Sequence, residues 1–271
     1  MNERERRMVE QLQDLRENHH VNGVKAEFEA EGTRLEEALR LKEVVSAAGL
    51  GLTIKVGGCE AVRDMYESRV IGIERMVGPM VESPWALHKY VTAVKMAYPE
   101  AERDQVEFCV NIETVTGVQN FDAMLELPDA DELDGIVLGR VDMCGSLGLT
   151  REDINQPQLL EIAVELFTKA KAHGLECAIG GGVGKEALDF MRQIPPGLLD
   201  RYETRKVVFA CPEGLDENAE AGILKAVGFE LMWLKNKRDY YGAIFEEDHA
   251  RIDMLQSRYD HLIERAGGQY T

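Results

Sequence analysis

The sequence predicts an α/β fold in which eight strands alternate with helices and close into one barrel. Three observations carry that expectation. Short apolar runs recur between residues 24 and 234, most of them followed by a segment of helical spacing. The chain has 271 residues, and a (β/α)8 barrel of TIM type takes about 250 in one domain. The stretch 106–149, VEFCVNIETVTGVQNFDAMLELPDADELDGIVLGRVDMCGSLGL, reads as strand, amphipathic segment, strand. That order in about forty residues is a βαβ unit with parallel strands.

The elements follow in order. Residues 2–18 form a charged helix with Met8, Leu12 and Leu15 on one stripe, and Asn22-Gly23 breaks it. His19 and His20 follow the helix, but two histidines without a third ligand are a weak metal site. Residues 24–32 alternate strictly, with Val24, Ala26, Phe28 and Ala30 opposite Lys25, Glu27, Glu29 and Glu31. Such a strand either turns its charges into a barrel, where they need partners, or lies at a sheet edge with one solvated face. A helix over 33–48 ends at Gly49, and residues 52–58 form the second strand, whose alternation puts Lys55 opposite Leu52, Ile54 and Val56.

The third strand falls within 70–81 and ends GPMVES, with Glu82 just past it, on the face where barrel active sites lie. A helix over 84–96 leads to strands four and five, 106–114 and 135–143. The helix of 151–172 leads to strand six, 176–183, and its GGGVGK turn. That turn lacks the pattern of a phosphate loop and reads as a tight strand-to-helix connection. Strand seven is expected over 204–211, strand eight over 229–234, and a last helix over 240–265 with Ile252, Leu255, Tyr259, Leu262 and Ile263 on one stripe. No linker interrupts the alternation, so residues 1–271 read as one domain. The barrel spans about 24–235, with terminal helices at about 2–18 and 240–265.

Composition narrows the function. With 45% hydrophobic residues the chain can bury a sizeable core. A net charge of -18 argues against nucleic acid and anionic membranes as partners. Five cysteines without a CxxC pair, no apolar leader and no membrane-length run predict a reduced, cytoplasmic protein. Within the βαβ unit each strand ends in a carboxylate, Glu113 and Asp142. Two carboxylates at neighbouring strand ends suit a hard divalent cation such as Mg²⁺ or Mn²⁺.

The pieces NIET (111–114), LDGIVLGRVDMCGSLGL (133–149) and GPMVES (78–83) resemble motifs of the HpcH/HpaI aldolase and citrate lyase β-subunit family, and the likeness runs over roughly residues 24–240. The resemblance implies a TIM-type barrel, Mg²⁺ or Mn²⁺ on Glu113 and Asp142, and a small-molecule 2-oxo acid or acyl-CoA substrate. It favours the inward orientation of Glu29 and Glu31, whose strand matches a DLED or DxEH pattern. It also implies that Lys55 stands where an Arg polarises the keto oxygen. Neutralising the nearby glutamates is the other role open to Lys55. Arg140 would assist at that oxygen, the amides around Val141 and Ser146 would hold the substrate carboxylate, and Glu82 would line the site.

The chain departs from the family at the general base. Gly32 stands where a His is expected, and none of the six histidines lies in a strand-end motif. Glu29, Glu31 or a metal-bound water are the replacements. The implied activity is a metal-dependent carbon–carbon lyase or aldolase working through an enolate, in a homo-oligomer. The alternative is a barrel that binds an acidic metabolite without catalysis, or that hydrolyses or condenses.

Overall fold

In the computed structural model, which describes residues 1–268, eight strands close a barrel in sequence order, β1 to β8. They are β1 Val21–Glu27, β2 Gly51–Lys55, β3 Arg75–Gly78, β4 Glu107–Ile112, β5 Gly135–Gly139, β6 Glu176–Gly180, β7 Arg201–Glu203 and β8 Val207–Ala210. The helices are α1 Glu3–Asn18, α2 Leu35–Ala47, α3 Val62–Ile71, α4 Pro84–Ala97, α5 Glu100–Arg103, α6 Val115–Gln119, α7 Phe121–Leu125, α8 Arg140–Ser146, α9 Pro157–Ala172, α10 Leu188–Arg192 and α11 Ala219–Arg265. The chain forms two compact units, Met1–Glu230, which holds the whole barrel, and Leu231–Thr271.

The strand alternation is what makes the barrel. Val24, Ala26, Leu52, Ile54, Ile136 and Leu138 are buried on its outer face, where the helices cover them. The opposite face points inward and is layered. Val77, Cys109, Val137 and Ala178 form an apolar middle. At the end where β2–β7 begin, Arg75 pairs with Glu107 and Arg201 with Glu176. At the other end lie Lys25, Glu27, Lys55 and Glu203, all buried. Along α1, Met8, Leu12 and Leu15 are fully buried, as their spacing requires.

Several boundaries differ from the sequence expectation, each for a physical reason. The first strand stops at Glu27, because the chain turns through Gly32 (φ 55°) and Thr33 N–H returns to the Glu27 carbonyl. Val70 and Ile71 belong to α3, which ends at Gly72 in the left-handed conformation. The fifth strand ends at Gly139, so Asp142 sits in the first turn of α8 rather than on a strand. The segment 115–125 is two short helices meeting at Asn120.

The largest departure is at barrel closure. The segment expected as strand seven contains a turn and one strand. β7 and β8 form an antiparallel hairpin, and β8 also runs antiparallel to β1. The seven strands β1–β7 run parallel. Residues 229–234, FELMWL, are not the eighth strand but lie within α11. They lack β-branched residues and consist largely of good helix formers.

Thr204 builds the hairpin turn. Its Oγ1 accepts from Val207 N–H at 3.0 Å and donates to the Val207 carbonyl at 3.1 Å, both buried. Thr204→Val should therefore destabilise the fold by about 1–3 kcal/mol, the cost of stranding buried polar groups. Urea unfolding followed by circular dichroism measures it.

Candidate active site

Five charged side chains enclosed at one end of the barrel define the site. Lys25 and Glu27 come from β1, Lys55 from β2, Glu113 from the residue after β4, and Glu203 from β7. None is more than 9% exposed. The Lys25 Nζ lies 2.9 Å from Glu203 Oε2 and 3.2 Å from Glu27 Oε1. The Lys55 Nζ lies 3.0 Å from Glu29 Oε2 and 3.7 Å from Glu113 Oε2. Signs alternate around the group, as burial of charge demands.

The electrostatics follow from that pairing. Burial works against the Lys25 ammonium, but Glu203 and Glu27 outweigh it and hold its pKa well above the ordinary lysine range. Burial likewise works against ionised Glu27, but Lys25, Arg205 and Lys55 outweigh it, and its pKa is lowered. Glu113 goes the other way. Burial raises its pKa, Asp142 adds to the rise, and Lys55, Asn111 and the Met80 N–H offset it only in part.

Glu113 is held from three sides. Its Oε1 accepts from Met80 N–H at 3.0 Å and its Oε2 from the Asn111 side-chain amide at 2.7 Å. Met80 has φ 52°, which a non-glycine residue seldom adopts; the strained backbone aims its N–H at the carboxylate. Gly139 supplies the room, since a Cβ there would lie 2.3 Å from Glu113 Oε2. Thr114, the next residue, caps α6 by accepting from Gly117 N–H and donates to Glu82 Oε1. Ser146 Oγ accepts from Val115 N–H at 2.9 Å, tying the helix that carries Asp142 to the one that follows Glu113. Asp142 itself is exposed.

Of the other residues singled out in the sequence, Glu29 reaches the charged group and the rest lie elsewhere. Arg140 is fully enclosed. Its guanidinium donates to Asn155 Oδ1 at 2.6 Å and to the Gly181 carbonyl at 3.0 Å, and it lies 5.0 Å from the centre of the Phe190 ring. Burial lowers its pKa to about 10. It clamps the turn after β6, where Gly181 approaches so near the Arg140 and Val141 amides that a Cβ would lie 2.9 and 2.8 Å from them. Glu29 is on the loop beyond β1, in contact with Lys55, whereas Glu31 is drawn to Lys206 and to Arg205 Nε at 3.2 Å. His19 faces the Lys225 ammonium at 2.9 Å, and His20 lies 4.0 Å from Asp216.

The sequence profile of the HpcH/HpaI aldolase/citrate lyase family matches residues 35–180. The chain belongs to this family. Solved structures agree at the level of fold. An HpcH/HpaI aldolase from Desulfitobacterium hafniense DCB-2 superposes with TM-score 0.52 at 16% identity, over 62% of this chain and 72% of that one. A family protein from Burkholderia cenocepacia J2315 gives 0.53 at 16%, over 68% and 89%. The citrate synthase SbnG gives 0.57 at 18%, over 86% and 90%. Among curated protein sequences none matches.

The match to the HpcH/HpaI family contains Lys55, Glu113, Gly139 and Asp142 but not Lys25, Glu27 or the β7–β8 hairpin. The sequence pattern did not point to the residues of that hairpin. Glu203, Arg205 and Lys206 all enter the charged group, with Arg205 Nη1 3.5 Å from Glu27 Oε2. Their signal was the polar run Glu203-Thr204-Arg205-Lys206 between apolar neighbours, which marks a hairpin turn.

Glu113 and Asp142 supply oxygen donors of the kind a hard cation takes. Among the described residues no group of three or more His, Cys, Asp or Glu side chains is placed to hold a metal ion. Glu113 and Asp142 act on one another electrostatically. Each ionised carboxylate oxygen has about two lone-pair sites, so Glu113 keeps capacity beyond the hydrogen bonds it accepts. Mg²⁺ commonly takes one or two carboxylates and completes its shell with water and substrate.

Lys25→Met would leave Glu27 and Glu203 buried without their shared cation, at a cost of about 3–5 kcal/mol near neutral pH. In the parent, the lowered pKa of Glu27 gives stability that is present above 4.5, its ordinary value, and lost as pH falls through the folded value. The raised pKa of Lys25 gives stability present below 10.5 and lost as pH rises through its folded value. The deficit of Lys25→Met should therefore be largest near neutral pH and shrink as pH falls toward and below 4.5, because the stranded carboxylates, buried without Lys25, take up protons more readily than free ones. Urea unfolding across pH reads both the size and the trend.

Proposed function

We propose that the chain is a divalent-metal-dependent carbon–carbon lyase or aldolase that works through an enolate of pyruvate, a related 2-oxo acid or an acyl-CoA. The observation that carries this reading is Glu113. It is a buried carboxylate in the family's NIET position, with a raised pKa, coupled to Asp142 and facing the Lys55 ammonium. Glu113 and Asp142 would hold Mg²⁺ or Mn²⁺, which supplies Lewis-acid stabilisation of the negative charge developing on the substrate oxygen. Lys55 adds positive charge at the same place, in an interior where such charge counts for more than in water.

The proton is moved by Glu29. It stands at the rim, 3.0 Å from Lys55, while Glu31 is engaged by Lys206 and Arg205. A carboxylate paired with an ammonium can accept a proton once substrate separates the two. Glu82 and Ser146 brace the elements that carry the metal ligands, and Arg140 fixes the turn after β6 against the Val141 backbone. Among the described residues no histidine stands just past the carboxyl end of a strand of the parallel set β1–β7, and that favours a second reading, a barrel that binds an acidic metabolite without enolising it.

Exchange of the methyl protons of pyruvate and of acetyl-CoA with deuterium, followed by NMR with and without Mg²⁺ or Mn²⁺, separates the two. Metal-dependent exchange in either substrate supports the enolising enzyme. Binding without exchange in both supports the second reading. Glu113→Gln and Asp142→Asn should each weaken metal binding by at least about tenfold in titration calorimetry while the fold persists. If both bind as tightly as the parent, the metal assignment is wrong. Because Glu113 must be ionised to bind metal, affinity should fall as pH is lowered, with a midpoint above the ordinary 4.5.

Gly139→Ala probes the same site without removing a charge. Its methyl would collide with Glu113 and displace the carboxylate. Metal affinity and exchange should both drop about tenfold or more, since ångström-scale misplacement is costly in catalysis. Unchanged values would show that the position of Glu113 does not matter.

A further inference from the structure

α11 carries a regular pattern that the barrel chemistry does not use. In the unit Leu231–Thr271, residues 231, 234, 238, 241, 245, 248, 252 and 255 follow a strict three–four spacing. That is the seam of a coiled coil. The occupants are Leu231, Leu234, Arg238, Tyr241, Phe245, Asp248, Ile252 and Leu255. Leu231, Leu234, Phe245, Ile252 and Leu255 are each at least 51% exposed. Large exposed apolar side chains recurring along one stripe mark an interaction surface rather than scattered surface residues.

Two charges interrupt the row and decide what can cover it. In a parallel, in-register pair each residue meets its own copy, so Arg238 would meet Arg238 and Asp248 would meet Asp248. In an antiparallel pair centred on Ala243, Arg238 of one copy meets Asp248 of the other, twice by symmetry. The same register sets Tyr241 against Phe245, Leu234 against Ile252 and Leu231 against Leu255. Every seam position then finds a complementary one on the same sequence, as an isologous twofold contact requires. Tyr259 and Leu262 continue the spacing and are also exposed. Among the described residues Arg238 pairs with its exposed neighbour Asp239, at 2.8 Å. A surface pair of that kind opposes re-pairing weakly.

We propose that a second copy of this chain covers the seam, and that the two α11 helices form an antiparallel coiled coil whose register is set by the Arg238–Asp248 pairs. A polar residue placed in an apolar seam fixes register and partner orientation at some cost in stability. This assignment is independent of the reaction.

Sedimentation velocity of the full chain tests it. The parent should sediment as a dimer at micromolar concentration. Arg238→Asp and Asp248→Arg each place like charges in the seam and should weaken the dimer by about tenfold or more. The double variant, with both substitutions, restores opposite charges in the antiparallel register and should return to near-parent association. In a parallel pair it would not. A monomeric parent, a dimer indifferent to the single substitutions, or a double variant that stays dissociated would each overturn the proposal. Should a single variant lose its helical circular dichroism, carbodiimide cross-linking of mixed isotope-labelled parent chains tests the same register. Asp248 should then couple between chains to Lys237, beside Arg238, and no such interchain product would overturn it.

Discussion

An ion taken out of water must find an opposite ion, and that constraint organises the working end of this barrel. Lys25 is buried between Glu27, two residues on in the same strand, and Glu203, far away in sequence. The pair with Glu203 forms only if β7 lies two strands from β1 around the barrel with its side chains inward. An antiparallel β8 between them achieves this, since β8 pairs with β7 on one side and β1 on the other. The turn joining β7 to β8 then carries Arg205 and Lys206 to Glu27 and Glu31. Charge pairing and the unusual closure are thus one feature.

Glu113 is the exception that gives the arrangement its chemistry. Its neighbours do not fully compensate burial, as its raised pKa records, whereas Glu27 is over-compensated and its pKa is lowered. Two buried carboxylates in one barrel are therefore pushed in opposite directions. Glu27 is a structural ion. Glu113 gains from an added positive charge, and a strained Met80 and a bare Gly139 hold it in place. Strain and an omitted side chain are costs that a merely structural carboxylate does not require.

Much of this was legible in the sequence. Alternation in residues 24–27 and 52–55 put Lys25, Glu27 and Lys55 opposite the apolar face, and the family resemblance favoured the barrel interior over a solvated sheet edge for that side. The NIET and GRVD stretches located Glu113 and Asp142. The misses share one cause, that a local pattern does not show where an element ends. Glu29 and Glu31 continue the alternation past the last ladder hydrogen bond, so they leave the barrel. Residues 204–211 look like one strand because a four-residue polar turn breaks the pattern only at its start. Residues 229–234 look like a strand if read alone, but belong to a helical spacing visible only over a longer window.

The division of the barrel bears on what such an enzyme acts upon. The span matched to the family, residues 35–180, holds the Lys55, Glu113 and Asp142 side. The opposite wall, built from β1 and the β7–β8 hairpin, lies outside that span and brings Lys25, Glu27, Glu203 and Arg205. On the proposed reading the first wall handles the carbonyl common to the reaction class, and chemistry shared by a family belongs there. On the same reading the second wall would face the rest of the substrate. Its Lys25 and Glu27 are tied to one another, so the least enclosed cation on it is the Arg205 guanidinium at the rim, with a side chain 47% exposed. A guanidinium fork favours planar carboxylate or phosphate groups. The selectivity of this chain should therefore rest on an anionic group carried beyond the reacting carbonyl, read by residues with no counterpart in the family match.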